Sequence, residues 1–116
     1  MTKSYSDTYK QNGMVFISGQ VGIDPSGDIP TDFEMQLRNT FNNIIDRLND
    51  ESLDVFDIVK LNVYLTSNDQ YEALNLISEE FFNLHKPART TLIVSSLPRN
   101  DGEPIILVEV DAIAGK

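Results

Sequence analysis

His85-Lys86-Pro87-Ala88-Arg89-Thr90-Thr91-Leu92-Ile93-Val94 is the stretch around which the rest of the chain is arranged. An aromatic-rich helical pattern runs up to Leu84. Pro87 cannot continue it, and its ring pushes Lys86 toward extended angles. A strand pattern follows at once, with Arg89 near its start. Period two puts Arg89, Thr91, Ile93 and Ser95 on one face and Thr90, Leu92 and Val94 on the other. A guanidinium at the mouth of a strand that soon turns apolar must find an anion or reach water. An edge arginine that snorkels to solvent or pairs with a structural carboxylate would meet that demand.

Upstream of this stretch, Asn12-Gly13 is a two-residue hairpin signal. The run Met14-Val15-Phe16-Ile17-Ser18-Gly19-Gln20-Val21 that follows is apolar and short, as a buried strand is. Gly19 inside it marks a bulge or a close approach to the backbone. Asp24 to Asp28 has turn chemistry. Thr31-Asp32-Phe33-Glu34 has capping-box spacing, so Thr31 is expected to open a helix. Phe33, Leu37, Phe41, Ile44, Ile45 and Leu48 make its apolar stripe, and Asn49 to Ser52 ends it. In the run Ile58 to Thr66, Val59, Leu61, Val63 and Leu65 alternate with polar residues, which predicts a half-buried strand. Ser67 to Gln70 caps a second helix with the stripe Tyr71, Leu74, Ile77, Phe81 and Phe82. Downstream, Leu97 to Gly102 reads as a turn, and a last strand begins at Glu103 or Pro104 and runs through Ile105 to Ala114.

Two hairpin strands, then helix, strand, helix, strand and strand, is an α+β order. It predicts helices on one face of a mixed, mostly antiparallel sheet. A chain of 116 residues suffices for a single domain with one core, spanning 1–116. Hydrophobic content of 41% with 23% charged residues is that of a globular protein and excludes disorder as the dominant state. No apolar run approaches the roughly 20 residues that span a bilayer, and the first residues have no signal-peptide pattern, so a cytoplasmic location is the default expectation. The formal net charge of −9 argues against a nucleic-acid partner, because phosphate binding depends on Lys and Arg. With no cysteine and one histidine, the chain offers no thiolate nucleophile and no metal-ligand spacing.

Glu109 and Asp111 share one face of the last strand, opposite Val108 and Val110. They are either solvated strand charges or the acidic half of a site. If Arg89 and Glu109 came from adjacent strands, a guanidinium to hold a carboxylate and a carboxylate to handle water would make a minimal hydrolytic pair. His85, at the end of a helix, suits the negative end of the helix dipole better than catalysis. Ser18-Gly19-Gln20 lacks a nucleophile-elbow pattern, and no phosphate-binding loop or dinucleotide fingerprint occurs.

Several stretches together carry a resemblance. Ser4-Tyr5-Ser6, Phe16-Ile17-Ser18-Gly19-Gln20, Val59-Lys60 with Val63-Tyr64-Leu65-Thr66, Phe81-Phe82 with His85 to Thr90, Leu97-Pro98, and Val108 to Ala114 occur in the order and spacing of the Rid family. These are the reactive intermediate deaminases, or YjgF-like proteins, and the chain resembles them from about Tyr5 to Ala114. The resemblance implies a chorismate-mutase-like fold and a homotrimer with a site in each cleft between subunits. It also implies cofactor-free hydrolysis of 2-imino acids, such as 2-iminopropanoate and 2-iminobutanoate, to 2-keto acids and ammonia. On that resemblance Arg89 grips the substrate carboxylate and Glu109 positions the attacking water and moves its protons. The Gly19 backbone lines the pocket with Ser18 beside it, and Tyr5 closes the cleft. Thr91, where many relatives have cysteine, places the water or the imine nitrogen through its backbone. Ser4 stands where a proline is usual, and Thr8-Tyr9 is bulkier than the small and aliphatic residues common after that tyrosine, which would narrow or shift the substrate range if Tyr9 points into the cleft. Two other functions fit the resemblance: a regulatory module that binds small carboxylates at Arg89, and an endoribonuclease. The acidic balance and the single histidine count against the second.

Overall fold

The computed structural model describes residues 3–98 and 103–116. The chain forms β1 (Thr8–Gln11), β2 (Met14–Gln20), α1 (Phe33–Asp50), β3 (Ile58–Leu65), α2 (Tyr71–Phe82), β4 (Ala88–Ile93) and β5 (Val108–Gly115). The strands make one sheet in the order β1-β2-β5-β3-β4. Only β3 and β4 run parallel, as a strand–helix–strand crossover through α2 requires. Asn12 (φ 54°) and Gly13 (φ 80°) both take left-handed angles in the β1–β2 turn, which is why Asn-Gly suits it.

Both helices cover one face of the sheet. Val15, Ile17, Leu61, Val63, Leu65, Val108, Val110, Ala112 and Ala114 point into that layer against Leu37, Phe41, Ile44 and Leu48 of α1 and Leu74, Ile77 and Phe82 of α2. The ring of Phe41 packs against Phe81 and Phe82 with centroids 5.2 and 5.0 Å away, which locks the helices together. Burying each such side chain contributes roughly 1.5–3 kcal/mol. Among the described residues no helix lies on the opposite face, with Phe16, Asn62, Tyr64, Glu109, Asp111 and Ile113.

Several expectations need correction. The cap of α1 is Asp32, whose Oδ2 accepts from Met35 N at 3.0 Å, and Thr31 lies outside the helix. A carboxylate answers the positive helix end better than a hydroxyl. Val59 is exposed because a register shift between Ile58 and Lys60 turns Ile58 into the core in its place. Tyr71 is likewise outside the core stripe, 45% exposed. The last strand starts at Val108, not at Glu103 or Pro104. Ile105 to Leu107 meet a side-chain amide, that of Gln36, in place of a strand. Of the expected 97–102 turn, Arg99 to Gly102 lie outside the described residues.

α1 also uses amides on the side that meets the chain entering and leaving the sheet. Asn39 Nδ2 donates to Gly22 O at 3.2 Å, and Asn43 Nδ2 donates to Val21 O and Ile23 O at 2.8 and 2.9 Å. Gly22 is required there: a Cβ would sit 2.6 Å from Gln36 O.

Candidate functional site

Glu109 lies on the uncovered face of β5, directly opposite Tyr64 of β3. On its other side β2 is interrupted: pairing with β5 lapses between Ile17 and Gln20, where Gly19 sits. The Glu109 carboxyl fills the space a side chain at position 19 would need, since a Cβ there would lie 2.8 Å from Glu109 Cδ and closer still to Oε2. Gly19 thus serves both as bulge and as a place of close approach. Among the described residues no hydrogen bond reaches this carboxyl. Burial raises its pKa, and the Asp111 charge adds to the rise.

Asp111, two positions along the same face, is bound at both oxygens. Asn62 Nδ2 donates to Oδ1 at 2.8 Å and the Tyr64 hydroxyl donates to Oδ2 at 3.1 Å. Burial, then the Asp111 charge, raises the Tyr64 pKa, so the phenol stays a donor at neutral pH. One carboxylate of the pair is committed to structure and the other is open to reaction.

Arg89 is placed differently. Its Cα partner is Leu61 and that of Thr91 is Val63, so both side chains lie on the helix-covered face. Arg89 Nη2 donates to Asn75 Oδ1 at 2.8 Å and to the Tyr71 hydroxyl at 3.4 Å, and the guanidinium carbon lies 5.7 Å from the Tyr71 ring centroid. Among the described residues no carboxylate is within ion-pair distance of Arg89, and no partner reaches Nη1 or Nε. A half-buried guanidinium oriented by neutral groups, with donors to spare, is ready for an anion. It borders a cavity of about 260 Å³ between the end of α2 and the start of β4, which Asn75, Phe82 and Pro87 also line.

The expectation that Arg89 and Glu109 sit on adjacent strands is wrong. β3 separates β4 from β5, and the register puts Arg89 on the covered face and Glu109 on the uncovered one. A single chain does not bring them together.

The remaining candidates divide between the two halves. Thr91 goes with Arg89. The Ser18 hydroxyl donates to Ser6 O, and Ser18 N donates to Asp7 O at 2.9 Å, so Ser18 tethers the N-terminal segment beside Gly19. Tyr5, on that segment, is 60% exposed with the Lys3 ammonium over its ring. Tyr9 pairs with Phe16 on the uncovered face, in the same row as Ile113. His85 is past the end of α2, not in its last turn: its Nε2 meets Ile58 O at 2.7 Å and its ring packs against Phe56, which ties the α2–β4 loop to the start of β3. Asn75 and Tyr71 were missed by sequence reasoning. Their spacing of four on α2 puts them on one helix face, but nothing in the sequence says that this face meets Arg89.

The family model described as Endoribonuclease L-PSP matches residues 1–116. A RutC family protein of Aquifex aeolicus is 38% identical over 109 residues, covering 91% of this chain and 87% of that one. The chain belongs to the Rid/YjgF (L-PSP) family. Among solved members, Escherichia coli TdcF with bound serine superposes with a TM-score of 0.89 at 29% identity, covering 100% of this chain and 91% of that one. RidA from the Antarctic bacterium Psychrobacter sp. PAMC 21119 gives 0.90 at 29% identity, covering 100% and 91%. Two helices on a five-stranded mixed sheet is thus the fold of this Rid family member, as its sequence resemblance implied.

Proposed function

We propose that this Rid family protein is a hydrolase of small 2-imino acids, such as 2-iminopropanoate and 2-iminobutanoate, acting at a site completed between two copies of the chain. The observation that carries the reading is the split itself. An anion-ready Arg89 and a half-buried, unbonded Glu109 lie on opposite faces of one sheet, so each lacks in its own chain the partner the chemistry needs. A closed homotrimer, in which Arg89 of one copy meets Glu109 of the next, supplies both.

Arg89 takes the substrate carboxylate with N–H donors that neither Asn75 nor Tyr71 occupies, and those two residues hold the guanidinium in place. The imine carbon is already electrophilic, so what remains is to aim a water and move protons. Glu109 does this: burial raises its pKa and so makes it a stronger base toward the water's proton, and the proton it takes up goes back to the departing nitrogen. The C–N bond breaks as the carbonyl forms, releasing ammonia and the 2-keto acid. Gly19 leaves room for the carboxyl, and the Thr91 backbone and Tyr5 complete the walls. Support from relatives is consistent: Escherichia coli TdcF, provisionally named a reactive intermediate deaminase, is 32% identical over 105 residues.

The family description names a second activity, RNA cleavage. The net charge of −9 gives a polyanion little to bind. Turnover of enzymatically generated 2-iminobutanoate, run beside Arg89→Ala and an RNA substrate, separates the readings. Imine hydrolysis lost in Arg89→Ala, with RNA intact, is the expected result. RNA cleavage without imine hydrolysis would reject the deaminase. Keto-acid binding without turnover would make the protein a carboxylate-binding module.

A further inference from the structure

Leu107 is two residues ahead of Glu109 and just outside β5, and both ends of its peptide are held by side chains. Its N–H donates to Gln36 Oε1 at 2.8 Å, and its carbonyl accepts from Thr66 Oγ1 at 3.1 Å. Gln36 is fully buried on α1, and its Nε2 donates to Pro30 O and Ile105 O at 2.8 and 2.9 Å. A carboxamide that bonds the carbonyl of residue 105 and the N–H of residue 107 offers what a neighbouring strand's peptide would offer. Gln36 thus keeps the run extended where no strand covers it. The Thr66 hydroxyl is itself fixed, because it accepts from Gln70 Nε2 at 3.0 Å while Gln70 Oε1 accepts from Thr66 N and Ser67 N at 3.0 and 3.1 Å.

We propose that Gln36 and Thr66 are positioning residues for Glu109, setting its place on β5 through the Leu107 peptide. The proposal rests on the reading of Glu109 as the proton-handling group. Among the described residues that carboxyl has no hydrogen bond, so its position follows from the backbone and from the gap at Gly19. On the β2 side the ladder lapses at the bulge beside it. β3 holds the Glu109 backbone opposite Tyr64, and with the β2 ladder interrupted the upstream anchor at Leu107 helps set how the carboxyl enters the gap. The same chain of bonds runs through Gln70 to Tyr71, so it also joins the Glu109 strand to the helix that steadies Arg89.

The test uses the intact protein and two kinds of readout. NMR titration of the Glu109 side-chain carboxyl needs no turnover, and kcat and KM for 2-iminobutanoate report the site at work. The titratable groups facing Glu109 are Asp111 on its own strand and Tyr64 across on β3, while β2 presents Ser18, Gly19 and Gln20, which do not titrate. Asp111 and Tyr64 are bound to each other and untouched by the substitutions, so a changed Glu109 titration reports its own placement. In Thr66→Val, nearly isosteric, kcat should fall about tenfold with KM within about twofold, and the Glu109 titration should move down toward that of an ordinary carboxylate as water enters. Thr66→Ser, which keeps the hydroxyl, should restore both. Gln36→Leu should shift both quantities further in the same direction. Should Gln36→Leu fail to fold, the Thr66 pair decides alone. Lower thermal stability with an unchanged Glu109 titration and unchanged kcat would reduce both residues to structural roles and overturn the proposal. If the wild-type protein hydrolyses no imine, the deaminase reading falls, and the titration still decides whether Leu107 positions Glu109.

Discussion

The two halves of the site are built on opposite principles. Arg89 stands on the edge strand β4, on the covered face, and is gripped by side chains: Asn75 and Tyr71 of α2 fix one nitrogen, and among the described residues nothing bonds the other two. Glu109 stands on β5, on the uncovered face, and among the described residues its carboxyl has no hydrogen bond: the Gly19 bulge gives it room on one side, Tyr64 of β3 pairs its backbone on the other, and the Leu107 anchor lies behind it. A permanent cation loses little when fixed by neutral donors and acceptors, because it does not have to change state. A carboxyl that must take up and release a proton is better left without hydrogen bonds that would favour one of its states. On the proposed function, orientation is therefore the task of the Arg89 half, and proton movement that of the Glu109 half.

Removing the proton-moving group should do most damage. Glu109→Gln should lower kcat by roughly 10²–10⁴-fold, because the amide cannot accept the water's proton. Affinity for a stable 2-keto acid should be nearly unchanged. The same variant should melt higher at neutral pH. A carboxyl whose pKa is raised on folding costs stability once pH climbs above its unfolded value of about 4.3, and that cost is absent below it. The gain should therefore fade as pH falls from the raised folded value toward that unfolded value, which thermal melts at several pH values would read. A variant that melts lower at pH 7 would contradict the picture of an unbonded, desolvated carboxyl.

Arg89→Lys comes next, at about 10²-fold in kcat/KM, or about 3 kcal/mol, since a point charge cannot make the two-bond fork. Unlike Glu109→Gln, it should weaken keto-acid binding in calorimetry. Near-wild-type turnover would remove the fork from the account. Asn75→Ala, which loosens the guanidinium but leaves it present, should raise KM by about tenfold with a smaller effect on kcat, as loss of one hydrogen bond to a charged group does. The mildest expected change is Asp111→Asn, within about threefold in kcat/KM. The asparagine keeps an acceptor for Asn62 or Tyr64 and the charge it removes is only a secondary cause of the raised Glu109 pKa. Damage equal to that of Glu109→Gln would erase the distinction between the two carboxylates.

How much of this was legible beforehand depended on whether the signal was local. The Asn12-Gly13 hairpin, the helix stripes and the alternation of Val108, Glu109, Val110 and Asp111 are set by neighbours in sequence, and the chain reads as it folds. Val59 misled because a single extra residue in β3 reverses the alternation there, and a bulge at an ordinary residue leaves no mark in composition. The strand expected from Ile105 onward failed for a related reason: its apolar pattern is that of a strand, but the group that satisfies its backbone is a side chain from residue 36. Within the site, the identities of Arg89, Glu109 and Gly19 came from resemblance and from their odd placement in apolar strands. Their separation onto two faces did not, because strand order is a long-range property. The supporting residues Asn75, Tyr71, Gln36 and Thr66 were silent for the same reason: each acts across the fold.

In the proposed site Arg89 of one copy works with Glu109 of another. Mixing inactive Arg89→Ala and Glu109→Gln chains, with subunit exchange or joint refolding, tests it directly. In a closed ring each site takes Arg89 from one copy and Glu109 from its neighbour, so random assembly of equal amounts makes about a quarter of the sites whole. Recovery of about a quarter of wild-type 2-iminobutanoate hydrolysis, from two preparations that are each near background, is the predicted result. A mixed assembly verified by mass that stays as inactive as its parents would contradict it.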